Sequence, residues 1–173
     1  MKEETLPAAR QRSGSHYANR EAARRAVALA APMIEAARSD AAIVGSGFLY
    51  LVVMDPGLAP GSTAFEDAIL LEEAFGDRSR WDADYAAFAR AKARLSWETG
   101  LDSHRLQVQS PHRLKAGDSL LWGSVCVDGI VVAASGAFPC FDEVFAATVA
   151  YWLRAFAKAA REAEAAGGRL SVD

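Results

Sequence analysis

Three groups of residues have types and spacing that could do chemistry. Lys92 lies in "FARAKARLSWETG" (residues 88–100) among apolar neighbours at helical spacing. A desolvated amine there would act as a nucleophile or anchor a carboxylate. Alternatively, its stem covers apolar surface while its head stays in water. Cys140 and Asp142 lie in "GAFPCFDEVFAA" (residues 136–147), where the chain turns from a strand into a helix. Cys140 offers a thiol, or simply a small buried side chain. Asp142 offers a carboxylate that could move a proton, and as a helix N-cap it has a sufficient structural role. Ser124, Ser135 and Gly136 are small residues in an otherwise apolar hairpin, either leaving room for a ligand or letting another element approach closely. Ser135, Gly136 and the backbone N–H groups opening the last helix could hold an anionic group, as helix N-termini do. With Lys92 and Asp142, these residues define the expected ligand site.

His16, His104 and His112 show no metal-ligand spacing, and no metal site is expected. His104 and His112 flank one aperiodic stretch, where they could meet or simply face solvent. There is no nucleophile elbow, phosphate loop or dinucleotide-binding glycine motif. Asp55 precedes Pro56-Gly57 and needs no role beyond starting a turn.

The elements that must position these groups follow from periodicity. Residues 1–15 are polar and aperiodic and are expected to form a disordered tail, leaving residues 16–173 as one domain. A helix is expected over 17–38, capped by Ser13 or Ser15, with Ala23, Ala26, Ala30, Met33 and Ala37 inward and a kink or break at Pro32. The apolar run "GFLYLVVMD" reads as a buried strand over 47–54. Residues 63–77 suit a helix by composition and a hairpin arm by position. A second helix spans 82–99, with Asp82 or Asp84 as N-cap and Gly100 as stop. Residues 101–119 show no element.

Asp128-Gly129 is a strong two-residue hairpin turn, joining strands over 120–127 and 130–137. It sets Val127 opposite Ile130 and Ser124 opposite Ala133. One hairpin face, with Leu121, Val125, Val127, Ile130 and Val132, belongs to a core. The other, with Trp122, Ser124, Cys126, Val131, Ala133 and Ser135, is expected to be shallower and only partly committed to it. The last helix spans 142–166, burying Phe145, Val149, Trp152, Phe156, Ala160 and Ala163. The order implies an α+β domain with a central antiparallel sheet of four or five strands flanked by helices.

The net charge of −3 excludes the broad basic face that nucleic acid demands. No segment approaches the ~18 apolar residues of a membrane span. Cys126 and Cys140 fall roughly 30 Å apart along the hairpin, too far for a bridge. Two free thiols suit a reducing compartment, so a cytoplasmic location is expected. Four tryptophans exceed what so alanine-rich a core can bury, which points to a homodimer or larger homo-oligomer.

Three blocks in order resemble the GlcG/HbpS family, also called the haem-degrading or PduO C-terminal-like domain: "FLYLVVMDPG", "FARAKARLSWETG" and "WGSVCVDGIVVAASGAFPCFDEVFAA". Lys92 falls at that family's helix lysine and Asp142 at its helix-opening aspartate. Trp122 stands where the family has a glycine, and Cys126 where it has a proline. The resemblance implies a profilin-like fold, assembly through the sheet or its edge helices, and binding of a small molecule, with haem or a related tetrapyrrole first. His104, His112 or Cys140 would then be candidate haem ligands. It also implies a strand over 67–74. Two other classes stay open: an enzyme on a small organic acid, with Lys92 holding the carboxylate and Asp142 or Cys140 handling a proton, and a non-catalytic interaction module.

Overall fold

The computed structural model describes residues 14–164, so most of the expected tail and the last two residues of the expected final helix lie outside the described residues. The elements are α1 (Arg20–Arg38), β1 (Leu49–Met54), β2 (Ile69–Phe75), α2 (Tyr85–Thr99), α3 (Ser103–Gln109), β3 (Ser124–Val127), β4 (Ile130–Ser135) and α4 (Pro139–Ala163). The four strands form one antiparallel sheet in the order β2-β1-β4-β3. The protein is therefore an α+β fold with a central sheet flanked by helices.

Alternation along β1 shows how the layers form. Leu49, Leu51 and Val53 join the core under α1 and α4. Tyr50, Val52 and Met54 join a second core under α2. All six residues are buried, so the strand reads as a continuous apolar run although the sheet is antiparallel. The hairpin has the expected register, with Ser124 opposite Ala133 and Val127 opposite Ile130. Asp128 and Gly129 both take positive φ, as a type I′ turn requires. Residues 69–75 form a strand, as the resemblance implied and against their composition.

Several expectations are corrected. The second hairpin face is not shallow: α2 covers it, and Ser124 and Ser135 are buried. β3 starts at Ser124 and leaves Leu121 exposed, because Gly123 turns the chain at φ 129°. α1 is capped by Asn19, whose side chain accepts from the Ala22 N–H, and it runs through Pro32 as one element. The carbonyl that Pro32 leaves unbonded belongs to Ala28, on the exposed side where water can reach it. Met33 is exposed and Ile34 takes the inward position. α4 begins at Pro139, a residue suited to the first helical position, rather than at Asp142. Its buried stripe is Asp142, Phe145, Ala146, Val149, Ala150 and Leu153, which leaves Trp152 at 42% exposure.

The short helix α3 falls where no element was expected, and it closes an edge of the sheet. The outward backbone groups of β3 are those of Ser124 and Cys126. The Ser103 hydroxyl accepts from the N–H groups of Gly123 and Ser124, both at 3.1 Å, and donates to the Ser124 carbonyl at 3.3 Å. Asp102 accepts from the Cys126 N–H at 2.7 Å. An open edge invites pairing with other chains, and the N-cap Asp102 and the first α3 residue Ser103 prevent it here. Ser103→Ala is expected to lower the unfolding free energy by about 1–3 kcal/mol, since it strands two buried N–H groups. Denaturant titration measures that loss. Asp102→Ala should in addition show concentration-dependent aggregation by light scattering.

Candidate functional site

The expected ligand site is assembled, but the protein fills it itself. Lys92 points inward from α2 and is 3% exposed. Its ammonium donates to Asp142 Oδ2 at 2.7 Å, to the Ala134 carbonyl at 2.9 Å and to Ser135 Oγ at 3.3 Å. These three acceptors match its three protons. Asp142 is 1% exposed, and its other oxygen accepts from the Ala137 N–H at 3.0 Å. Asp142 is thus not an N-cap; Phe138 holds that position without a side-chain bond. The carboxylate takes the place foreseen for a bound anion, beside Ser135 and the backbone at Gly136.

Two glycines admit close neighbours, Gly123 the pair itself and Gly136 the β1 backbone. A side chain on Gly123 would lie 2.5 Å from the Asp142 Cβ. One on Gly136 would lie 2.0 Å from the Phe48 carbonyl oxygen, at a φ of 135° that other residues avoid. The small residues therefore admit other parts of the protein rather than a ligand. Ser124 follows the same logic: its hydroxyl donates to the Lys92 carbonyl at 2.9 Å and lies 2.7 Å from the hydroxyl of Ser96. Ser96 is fully buried on α2, and its spacing of four from Lys92 was the available signal for it.

Burial pushes the Asp142 carboxyl above the usual aspartate range, and the Lys92 charge and the amide donors only partly pull it back. Folded Asp142 holds its proton more tightly than the unfolded chain does. Its own contribution to stability is therefore present at acid pH and lost as the pH rises through the folded value.

The remaining candidates lie apart from this pair. His104 is exposed on α3 and stacks on Trp122 with ring centroids 4.2 Å apart. His112 is exposed in the 3₁₀ turn Pro111–Arg113. Cys140 is an exposed free thiol in the first turn of α4, not a buried small residue. Asp55 accepts from the N–H groups of Gly57 and Ser15, both at 2.8 Å, so it starts its turn and also ties down the start of the described chain. No group of three metal-ligating side chains occurs among the described residues.

An open groove of about 440 Å³ lies between β3 and α4, lined in part by Asp102, Cys126, Asp128, Glu143, Tyr151 and Arg154. Arg154 donates to Asp128 at 2.9 Å and lies over the Tyr151 ring at 4.6 Å. Burial, with the nearby Asp102 charge, pushes the Glu143 carboxyl up, while His104 opposes this. One Glu143 oxygen has no hydrogen-bond partner among the described residues. Sequence reading passed over this groove because it followed only the apolar stripe of α4. Glu143, Ala147, Tyr151 and Arg154 recur at helical spacing and mark a second face.

No protein-family model matches the chain, and no curated protein and no solved structure matches it.

Removing one member of the buried pair leaves an uncompensated charge. Lys92→Met and Asp142→Leu are each expected to cost about 3–5 kcal/mol of stability. The double variant should recover most of that loss. Thermal unfolding of the three variants checks this, and additive losses would mean that the two side chains are not coupled.

Proposed function

We propose that the protein is a small-molecule-binding protein without catalytic activity, and that its ligand lies in the groove between β3 and α4. The observation that carries this reading is the sealing of Lys92 and Asp142. The residues best suited to chemistry neutralise each other in the core, out of reach of any substrate, and Cys140 stands on the exterior away from them. The groove is concave and open. Its wall is about as polar as apolar, with Val125, Val127, Val144 and Ala147 beside Asp102, Asp128, Glu143 and Arg154. The three sequence blocks resembling the GlcG/HbpS family support small-molecule binding as the class of function. The free thiols Cys126 and Cys140 support a reducing compartment, and the cytoplasm is the location we propose.

Haem, which the resemblance implies, does not suit the groove. Asp102, Asp128 and Glu143 would repel its propionates, and neither His104 nor His112 lines the wall. The carboxylates favour a ligand that donates hydrogen bonds or carries positive charge.

A thermal-shift screen of organic cations and neutral polar metabolites tests the reading, with haemin titrated alongside. A ligand present at ~100 times its dissociation constant should raise the melting temperature by on the order of 5–10 °C. Ala147→Trp, which fills the groove, should abolish that shift. A saturable haemin absorbance change lost in His104→Ala, His112→Ala or Cys140→Ala would overturn the groove as the site.

A further inference from the structure

We propose that the outer face of α4 is a homodimer interface, in which two copies of the helix pack antiparallel. The face is apolar and open: Val144, Tyr151 and Trp152 are 50%, 53% and 42% exposed. Ala147 and Thr148 lie between them, small enough to let a second helix approach closely. Together the five residues line a shallow hollow of about 500 Å³. An exposed apolar patch of this kind on a helix is a docking surface.

Charge identifies the occupant as a second copy. Glu143 and Arg154 are eleven residues apart, which is about three helical turns, so they project on the same side of α4 roughly 16 Å apart. They flank the apolar hollow, one beyond each end. A two-fold axis near Thr148 runs the two helices antiparallel and brings Glu143 of each copy to Arg154 of the other. The same pairing sets the two helix dipoles against each other favourably. Glu143 is half-buried and its buried oxygen has no partner among the described residues, so its carboxylate reaches the other copy by turning outward. Arg154 uses one nitrogen on Asp128 and keeps donors for a second carboxylate. A parallel arrangement would set glutamate against glutamate and arginine against arginine.

The dimer requires no ligand, but its face shares Val144, Ala147 and Tyr151 with the groove and uses Glu143 and Arg154 of the groove wall, so ligand and second copy compete for this side of α4. Sedimentation of the ligand-free full chain should give twice the 18.5 kDa chain mass at micromolar concentration. Trp152→Glu should give monomer. Glu143→Arg and Arg154→Glu should each weaken self-association by roughly tenfold or more, since each sets like charges together twice. Mixing those two variants should restore a dimer, because every facing pair is then opposite in sign. Trp152 is exposed and Glu143 and Arg154 are half-buried, and circular dichroism confirms that the variants fold. A monomeric wild type overturns the proposal, as does a dimer unaffected by Trp152→Glu. Failure of the mixed variants to associate overturns the antiparallel pairing.

Discussion

The fold depends on one buried ion pair that joins layers on opposite faces of the sheet. Lys92 rises from α2, which covers one face, and Asp142 descends from α4, which covers the other. They meet past the end of β4, where the chain leaves the sheet at Ser135 and Gly136. The pair carries little net free energy, because desolvating two charges costs about what their attraction returns. Its contribution is to registration. The ammonium finds all its acceptors only when α2, β4 and α4 hold one relative position, and a slip of either helix by one turn would strand a charge in the core.

Neighbouring sequence features follow from that constraint. Gly123 lacks a side chain because the Asp142 Cβ occupies its space, and Gly136 turns against the Phe48 carbonyl so that Ala137 can present its N–H to the carboxylate. Ser135 supplies the third acceptor for the ammonium. Ser124 and Ser96 bond to each other beneath it, so the covered face of the hairpin leaves no hydroxyl unpaired. Small polar residues in a strand thus report the close approach of a helix, and here they carry a connected network rather than a vacant pocket.

Much of the fold was legible because its signals are local. Asp128-Gly129 fixes the hairpin register by itself, and the β1 apolar run announces a strand covered on both faces. Gly100, in the left-handed conformation, ends α2 where expected. The site was legible in its members and not in its chemistry. Lys92, Ser135, Gly136 and Asp142 do come together, but periodicity cannot show that two of them pair with each other before any ligand arrives. α4 starts three residues before Asp142, which resembles an N-cap in sequence, because Pro139 suits the first helical position. α3 escaped notice because seven residues, of which only Ser103 and Leu106 are buried, carry too little periodicity to register.

The two sheet edges decide where a partner can dock. β3 has its outward N–H groups and one carbonyl taken by Asp102 and Ser103, so it cannot accept another strand without dismantling α3. β2 at the opposite edge carries Glu72 and Glu73 in succession, and Glu72 is held by a bidentate contact to Arg90 at 2.7 and 2.8 Å. Pairing two β2 strands about their centre would bring like charges face to face, which disfavours a continuous sheet between copies. With β3 covered and β2 charged, neither edge favours strand pairing between copies. α1 presents Leu29 and Met33, but Arg20, Arg24 and Arg25 crowd its first two turns around the single acidic Glu21. α4 combines an exposed apolar stripe with flanking charges of opposite sign, Glu143 before it and Arg154 after it, and the proposed antiparallel pairing uses that arrangement.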